Sequence, residues 1–340
     1  MKIAFYGVRP EEESYLKERF SSAMAATGAS AAYSAERDLL KAADPDADAV
    51  CVFIDSLVDK AAMDAFPKLK LVVTRSTGYD HIDVGEAAAR GIVVSSVPSY
   101  GENTVAEFAF GLILALSRKI YAAADQVKET GSFAMDGLRG FDLLGKTIGV
   151  VGTGRIGRHA IRMAGGFGMK VVAYDPSPDE KAAAGSGFRY AGMDELLAAS
   201  DVVTLHVPLT KETEHMMNAA ALAKMKPSAL LINTSRGGIV DTGALVQALA
   251  AKTIAGAGLD VLEEEGAIKD EAAFLASGHP KEEELKAVLA DHALMKMPNV
   301  IVTPHVAFNT DEALRRILST TVDDIKAWAE GAPINTVRAS

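Results

Sequence analysis

Three residues in the second half of the chain have side chains suited to acid–base chemistry on an anionic substrate. Arg236 stands in INTSRGGIVD, Asp260 in GLDVLEEEG and His305 in VIVTPHVAF. Each follows a short apolar run that reads as a strand. An arginine holds a carboxylate through two parallel hydrogen bonds and polarises a neighbouring carbonyl. An imidazole exchanges a proton near neutral pH, and a carboxylate beside it favours the charged ring and fixes its orientation. Gathered at one place, the three would suit reduction of a carbonyl next to a carboxylate, given a hydride donor. Taken singly, each has a plainer reading. An arginine after a strand is an ordinary ion-pair residue, and the glutamates after Asp260 read equally as a solvated charge run. Most of the seven histidines (His81, His159, His206, His215, His279, His292, His305) must be structural or on the surface. His206, in TLHVP, also follows a strand and competes with His305 for the acid–base role.

The hydride donor has its own signature. In GVVGTGRIGRHAIRMAGGFGMKVVAYD, residues 149–175, Gly152, Gly154 and Gly157 follow a predicted strand and open a predicted helix. Gly152 suits the tight turn, Gly154 lets backbone approach a pyrophosphate, and Gly157 lets the helix pack closely on the sheet. The helix N-terminus offers free N–H groups to the phosphates. A second strand ends at Asp175, where an acid accepts bonds from ribose hydroxyls and repels a 2′-phosphate, so NAD is expected over NADP.

These residues need a frame. Apolar runs recur as KIAFYG, DAVCVFI, LKLVVT and GIVVSS, then as KTIGVVG, MKVVAYD, DVVTLHV, ALLINTS, IAGAGLDV and NVIVTPH, with helix-period segments between them. Continuous apolar strands alternating with helices give parallel sheets covered on both faces. The expected fold is α/β, with two doubly wound parallel-sheet (Rossmann-like) domains. In such sheets ligands sit beyond the carboxyl ends of the strands, where Arg236, Asp260, His305 and the glycine turn all fall. The turn-rich VPSYGEN marks a boundary near residue 100. After it, residues 103–128 read as one long apolar helix, buried or packed on a partner chain. A last helix from Asp311 to Glu330 places Leu314, Ile317, Leu318, Thr321, Ile325 and Trp328 on one face. If that helix completes the first domain, the dinucleotide-binding domain is an insertion: residues 1–101 plus 307–340 form the substrate domain, and 102–306 the inserted one.

Bulk properties limit the alternatives. The 340 residues, 49% of them hydrophobic, suffice for two cores. A net charge of −10 with no basic block argues against a nucleic-acid partner. The one cysteine, Cys51, reads as a buried apolar residue, so neither a disulfide nor a cysteine metal site is expected. No metal is expected. The longest apolar stretch, VAEFAFGLILAL, is shorter than the ~20 residues of a membrane span, and MKIAFYGVRPEEE is too short for a secretory signal. A cytoplasmic protein is expected.

The ordered set VVGTGRIG, VVAYDP, LHVPLTKET, INTSRGGIVD, GLDVLEEE and PNVIVTPH resembles the D-isomer-specific 2-hydroxyacid dehydrogenases over nearly the whole chain, most closely their D-lactate branch. The resemblance implies that Arg236 binds the 2-oxo acid, that His305 is the acid–base group and that Glu265 pairs with it. Asp260 would contact the nicotinamide side of NAD. Arg155, Ile156, Val207, Pro208, Thr213, Thr234 and Ser235 match cofactor-contacting positions. RSTGYDHID resembles the loop whose N–H groups hold the substrate carboxylate, which assigns Ser76, Thr77, Gly78 and Tyr79 to the substrate. Phe53, Tyr100 and Phe308 match rings around a small apolar pocket, with ordinary core packing as the alternative. The helix after Asn103 resembles a dimerisation element, so a homodimer is implied. YGENTVAE and STGYD depart from the branch on the substrate side, and the segment from Gly266 to Met297 carries no assigned role. The rivals are the same chemistry on hydroxypyruvate, 2-ketoisocaproate or phenylpyruvate, and a non-catalytic NADH-sensing protein of the corepressor kind. Formate chemistry is disfavoured, because formate enzymes of the family pair their histidine with glutamine.

Overall fold

The computed structural model describes residues 1–269 and 282–337. The chain divides into two compact units, Met1–Gly101 with Asn309–Ser340, and Glu102–Phe308.

The first unit opens with β1 (Lys2–Phe5), α1 (Pro10–Met24), β2 (Ser30–Tyr33), β3 (Ala49–Val52), α2 (Lys60–Asp64), β4 (Leu71–Thr74), α3 (Val84–Ala89) and β5 (Val93–Ser96). The strands pair in parallel in the order β2-β1-β3-β4-β5. Both faces of the sheet are covered, and the alternation of side chains sorts each strand between two cores. Val50, Val52 and Val72 join Tyr6, Met63 and Phe66 on one side. Ala49, Cys51, Leu71 and Val73 join Phe5, Leu16 and Phe20 on the other. Burial pushes the Cys51 thiol up to about 12, so it stays protonated and inert.

The second unit runs α4 (Glu102–Ser117), α5 (Ile120–Thr130), β6 (Thr147–Val151), α6 (Arg155–Gly166), β7 (Lys170–Tyr174), α7 (Glu180–Ser186), β8 (Arg189–Tyr190), α8 (Met193–Ala199), β9 (Val202–Leu205), α9 (Ala219–Leu222), β10 (Leu230–Asn233), α10 (Thr242–Ala250), β11 (Gly256–Leu259), α11 (Glu265–Lys269), α12 (Glu282–Lys296) and β12 (Val300–Val302). Its parallel sheet has the order β12-β11-β10-β9-β6-β7-β8. The direction of winding reverses between β6 and β9, the place where such sheets bind ligands. The chain then returns to the first unit as α13 (Asp311–Ala329), capped by the Thr310 hydroxyl, which accepts the Ala313 N–H. This helix packs on α1 and β4. Both expected doubly wound sheets are present, and the second unit is inserted into the first.

Three details differ from the sequence expectation. β2 and β8 read as no strand at all. β2 is an edge strand of three small residues and Tyr33, and none of its four positions is buried. β8 has two residues, too few for a period. The long helix after residue 102 is two helices. The Phe141 N–H takes the Ser117 carbonyl and Lys119 adopts φ 55°, which ends α4 and restarts the chain as α5. α4 is core within its own unit, covering α6, β10 and β11, whereas α5 buries none of its residues. On α13, Ile317, Leu318, Thr321 and Ile325 are buried as expected, Leu314 and Trp328 only half so. The buried face also includes Asp324, whose carboxylate accepts a 2.7 Å bond from Asn335 and is pushed up to about 7 by burial.

Candidate active site

The three turns that carry Arg236, Glu265 and His305 leave one edge of the second sheet side by side. The register pairs Asn233 with Leu259 and Leu259 with Val302, so β10, β11 and β12 end level. Side-chain chemistry placed just beyond these residues must converge.

His305 sits at φ 54°, a left-handed backbone that is rare for a residue with a side chain. Its turn is fastened to stop it relaxing. The His305 N–H donates to the Asp260 carbonyl at 2.8 Å. The Asp260 carboxylate accepts from the Thr303 hydroxyl at 2.6 Å and from the Val306 and Ala307 N–H groups at 3.0 and 2.8 Å. Burial pushes the Asp260 carboxyl up, and those three donors pull against it. Asp260 thus lies inside the turn that carries His305. The His305 ring is then set by Glu265: Nδ1 and Glu265 Oε2 are 3.0 Å apart. The other oxygen, Oε1, accepts the Leu262 N–H at 3.1 Å. With Nδ1 engaged, Nε2 is the ring atom left to face a substrate.

Arg236 precedes a short 3₁₀ turn, Gly237–Ile239, and has extended backbone. The Asn233 side chain braces this loop, donating to the Arg236 carbonyl at 2.8 Å and accepting the Ser235 N–H at 3.0 Å. Gly237 lies so close to the Leu262 carbonyl that a Cβ there would overlap it. The arginine turn therefore rests on the backbone of the turn that carries Glu265.

At the β6 end, Gly152 has φ 92°, and a Cβ on it would meet the His206 carbonyl. A side chain is excluded by both conformation and space. Gly154 caps α6, and a Cβ there would meet nothing within 4 Å, which leaves the helix N-terminus open to a phosphate. Gly157 and Ile156 pack inward, and Arg155 lies out in solvent, 3.7 Å from Glu102. Asp175 closes β7, with Oδ2 accepting from the Thr153 N–H and hydroxyl and Oδ1 from the Ser177 N–H. Burial works against its charge, but those donors and Arg158 outweigh it and hold the carboxyl below its usual range. Much of Asp175's capacity thus braces the glycine turn, which spacing does not reveal. Thr234 Oγ1, at the end of β10, is buried with no partner among the described residues. The Ser235 hydroxyl donates to the Leu205 carbonyl, and the Thr213 hydroxyl donates to the Pro208 carbonyl in the loop after Val207. The open helix end, the acid at β7 and the orphaned hydroxyl fit a bound dinucleotide.

His206 is a different object from His305. Its Nε2 meets the Thr204 hydroxyl at 3.0 Å, its Nδ1 is buried without a partner among the described residues, and burial pulls the ring down to about 4. It is neutral at physiological pH. Sequence reasoning missed a second imidazole–carboxylate pair, His215 Nε2 to Glu263 Oε1 at 2.6 Å. It also missed Asp291, buried on α12 beneath the three glutamates. A change of helix separates Asp291 from the motif, so no spacing rule connects them.

In the first unit, Ser76–Tyr79 form a loop after β4. The Ser76 hydroxyl bonds the Gly78 carbonyl at 2.6 Å, and the Thr77 hydroxyl bonds the Val97 carbonyl at 2.8 Å. The N–H groups of Thr77, Gly78 and Tyr79 have no acceptor among the described residues. Phe53 lies 5.8 Å from the Arg75 guanidinium, and the Tyr100 carbonyl accepts from Arg316. Phe308, of the second unit, is 7% exposed.

Residues 110–307 match the family model described as D-isomer specific 2-hydroxyacid dehydrogenase, NAD binding domain. A D-lactate dehydrogenase of Curvularia clavata is 40% identical over 84% of this chain and 80% of its own. A glyoxylate reductase of Thermococcus litoralis is 38% identical over 84% and 82%. The crystal structure of a D-lactate dehydrogenase from Aquifex aeolicus, complexed with NAD and lactic acid, superposes with a TM-score of 0.83 at 35% identity, covering 97% of this chain and 96% of that one. With an NAD-binding sheet, a level row of strand ends and a histidine–glutamate pair beyond them, the chain belongs to the D-isomer-specific 2-hydroxyacid dehydrogenase family, NAD-dependent oxidoreductases acting on the CH–OH group of 2-hydroxy acids.

Proposed function

We propose that the physiological reaction is reduction of a small 2-oxo acid, pyruvate first, to the D-2-hydroxy acid with NADH. The observation that carries the chemistry is the 3.0 Å His305–Glu265 contact at the strand ends. The choice of pyruvate is supported by the D-lactate dehydrogenase of Curvularia clavata and by the lactic acid named with the Aquifex aeolicus structure. The glyoxylate reductase relative favours glyoxylate as the second candidate, one methyl group smaller.

NAD would be held by the α6 N-terminus at Gly154 and Arg155, by Asp175 and by the loops at Val207–Thr213 and Thr234–Ser235; NADH supplies the hydride when bound. The remaining work falls to the chain. Arg236 binds the substrate carboxylate as a planar fork and draws electron density from the adjacent carbonyl. His305 gives its Nε2 proton to the carbonyl oxygen as the alcohol forms and takes it back in the reverse direction. Glu265 keeps the ring oriented through Nδ1 and balances the imidazolium. Asp260 contributes by fixing the His305 turn. For the first unit we propose that the Thr77–Tyr79 N–H groups serve a carboxylate and that Phe53 and Tyr100 limit side-chain size, and for the second unit we propose the latter role for Phe308.

The described residues contain no helix long and apolar enough to cross a membrane. A cytoplasmic homodimer is our reading of the assembly. The side chains left bare on and after α5 support the dimer: Tyr121 is 64% exposed, Phe133 86% and Met135 85%. Light scattering on the purified chain checks this.

The deciding experiment follows NADH consumption with pyruvate, glyoxylate, hydroxypyruvate, 2-ketoisocaproate and phenylpyruvate, with chiral analysis of the product. A kcat/KM for pyruvate above all the others, with D-lactate as product, is expected. A glyoxylate preference, or one for the bulkier acids, overturns the substrate and keeps the family chemistry. NADH binding without turnover of any of them moves a sensing role to the front.

A further inference from the structure

Among the described residues between Glu265 and His305, one buried carboxylate is not used by the reaction above. Asp291 lies on α12, is fully buried, and points at the turn Glu263–Glu265. Its Oδ2 accepts the Glu264 N–H at 3.1 Å, and its Oδ1 has no hydrogen-bond partner among the described residues. Glu264 immediately precedes α11, and its carbonyl accepts the Ile268 N–H, so Asp291 fastens the residue at which that helix starts. Glu265 is the first residue of the helix. A carboxylate buried with one oxygen unsatisfied is costly, and a neutral apolar residue would pack there at lower cost.

The electrostatic surroundings make the placement stranger. Glu263, Glu264 and Glu265 all face Asp291, and burial together with these charges pushes its carboxyl up to about 6, against the pull of the Glu264 N–H. Glu263 is occupied by His215, and Glu264 is itself raised by burial, Glu263 and Glu284. Helix α10 and strand β12, which pack against α12, carry no ionisable residue. On its own helix the adjacent ionisable residue is His292, with Glu284 two turns before and Lys286 between them, its ammonium 2.6 Å from Glu282. Among the described residues no cation compensates Asp291 directly, so its charge is felt by the pair beside it.

We propose that Asp291 is a positioning residue for the Glu265–His305 pair: it sets the start of the helix that presents Glu265 and places a second negative charge behind that carboxylate. This rests on the reading of His305 as the acid–base group. The charge adds to that of Glu265 beside the His305 ring, and its influence fades as Asp291 itself takes up a proton below about pH 6.

The test compares the wild type with Asp291→Asn and Asp291→Leu in the full-length enzyme. Asparagine keeps an acceptor for the Glu264 N–H and removes the charge. Its kcat/KM for oxo-acid reduction is expected to fall about three- to tenfold below wild type near pH 8, with the gap narrowing towards pH 5.5. Leucine removes the acceptor as well and should lower kcat about tenfold or more at every pH, with a smaller change in KM. A merely structural acceptor would give Asp291→Asn a ratio to wild type that is flat with pH, and that result overturns the proposal. Should the leucine variant fail to fold, the asparagine profile still decides. His305→Gln separates the two levels. If that variant keeps turnover, the acid–base reading fails; if it is inactive while the Asp291→Asn ratio is flat, only the role of Asp291 fails.

Discussion

His305 and His206 are the same side chain placed just past the ends of strands in the same sheet, and their surroundings are of opposite kinds. His305 has strained backbone, three anchors on its turn through Asp260, and a carboxylate on its ring. His206 has a hydroxyl on one nitrogen, nothing on the other, and a ring held neutral by burial. Position at a strand end therefore does not make a histidine an acid–base group. A partner that stabilises the charged ring, and a turn that holds it at an angle relaxation would lose, do so.

The largest test of the contrast is His305→Gln. Glutamine retains an amide for the Glu265 contact but transfers no proton, and kcat should fall by a factor of about 10² to 10⁴. Near-normal turnover would erase the difference between the two histidines. Next is Glu265→Gln, which keeps the shape and removes the charge. We expect kcat down about 10- to 100-fold, with KM for the oxo acid changed less, because the partner acts on the ring and not on the substrate. An equal loss through KM alone would place Glu265 in substrate binding.

How much of this was legible in the sequence follows the same division. Arg236, Asp260 and His305 share an edge because their strands are short, apolar and in parallel register, and such runs are readable. The glycine turn was readable because conformation and space both exclude side chains at Gly152. The Glu265–His305 pairing came from resemblance, since a run of three glutamates does not say which of them turns inward. Asp291, the His215–Glu263 pair and the bracing of the glycine turn by Asp175 were not legible. Each depends on which side chains meet across separate elements, and helical or strand period does not encode that. The break between α4 and α5 escaped for the same reason: a distant backbone N–H, that of Phe141, ends the helix at Ser117.

A smaller effect is expected at Asp175. Its carboxylate is bound by Thr153 and Ser177 and still carries its charge, because those donors hold it below the usual range. Asp175→Ala should raise the NADPH-to-NADH ratio of kcat/KM by about tenfold, since a nearby acid repels a 2′-phosphate. It should also loosen the glycine turn and so raise KM for both cofactors. A ratio equal to that of wild type would confine Asp175 to the bracing role.

The smallest effect on activity belongs to His206→Gln, with kcat within about threefold of wild type, because a ring that is neutral throughout the working range contributes no proton. Its signature is in stability. The folded His206 titrates at about 4, below the 6.5 of an unperturbed ring, so the unfolded chain takes up its proton first as the medium is acidified. The wild type therefore holds its full stability above about pH 6.5 and loses it as pH falls towards 4. At about pH 5 the loss from this one group is on the order of 2 kcal/mol. Glutamine does not titrate, so the variant should match the wild type in denaturant midpoint near pH 7.5 and exceed it near pH 5. Parallel curves across that range would mean that His206 charges in the folded enzyme, and the contrast with His305 would then rest on Glu265 alone.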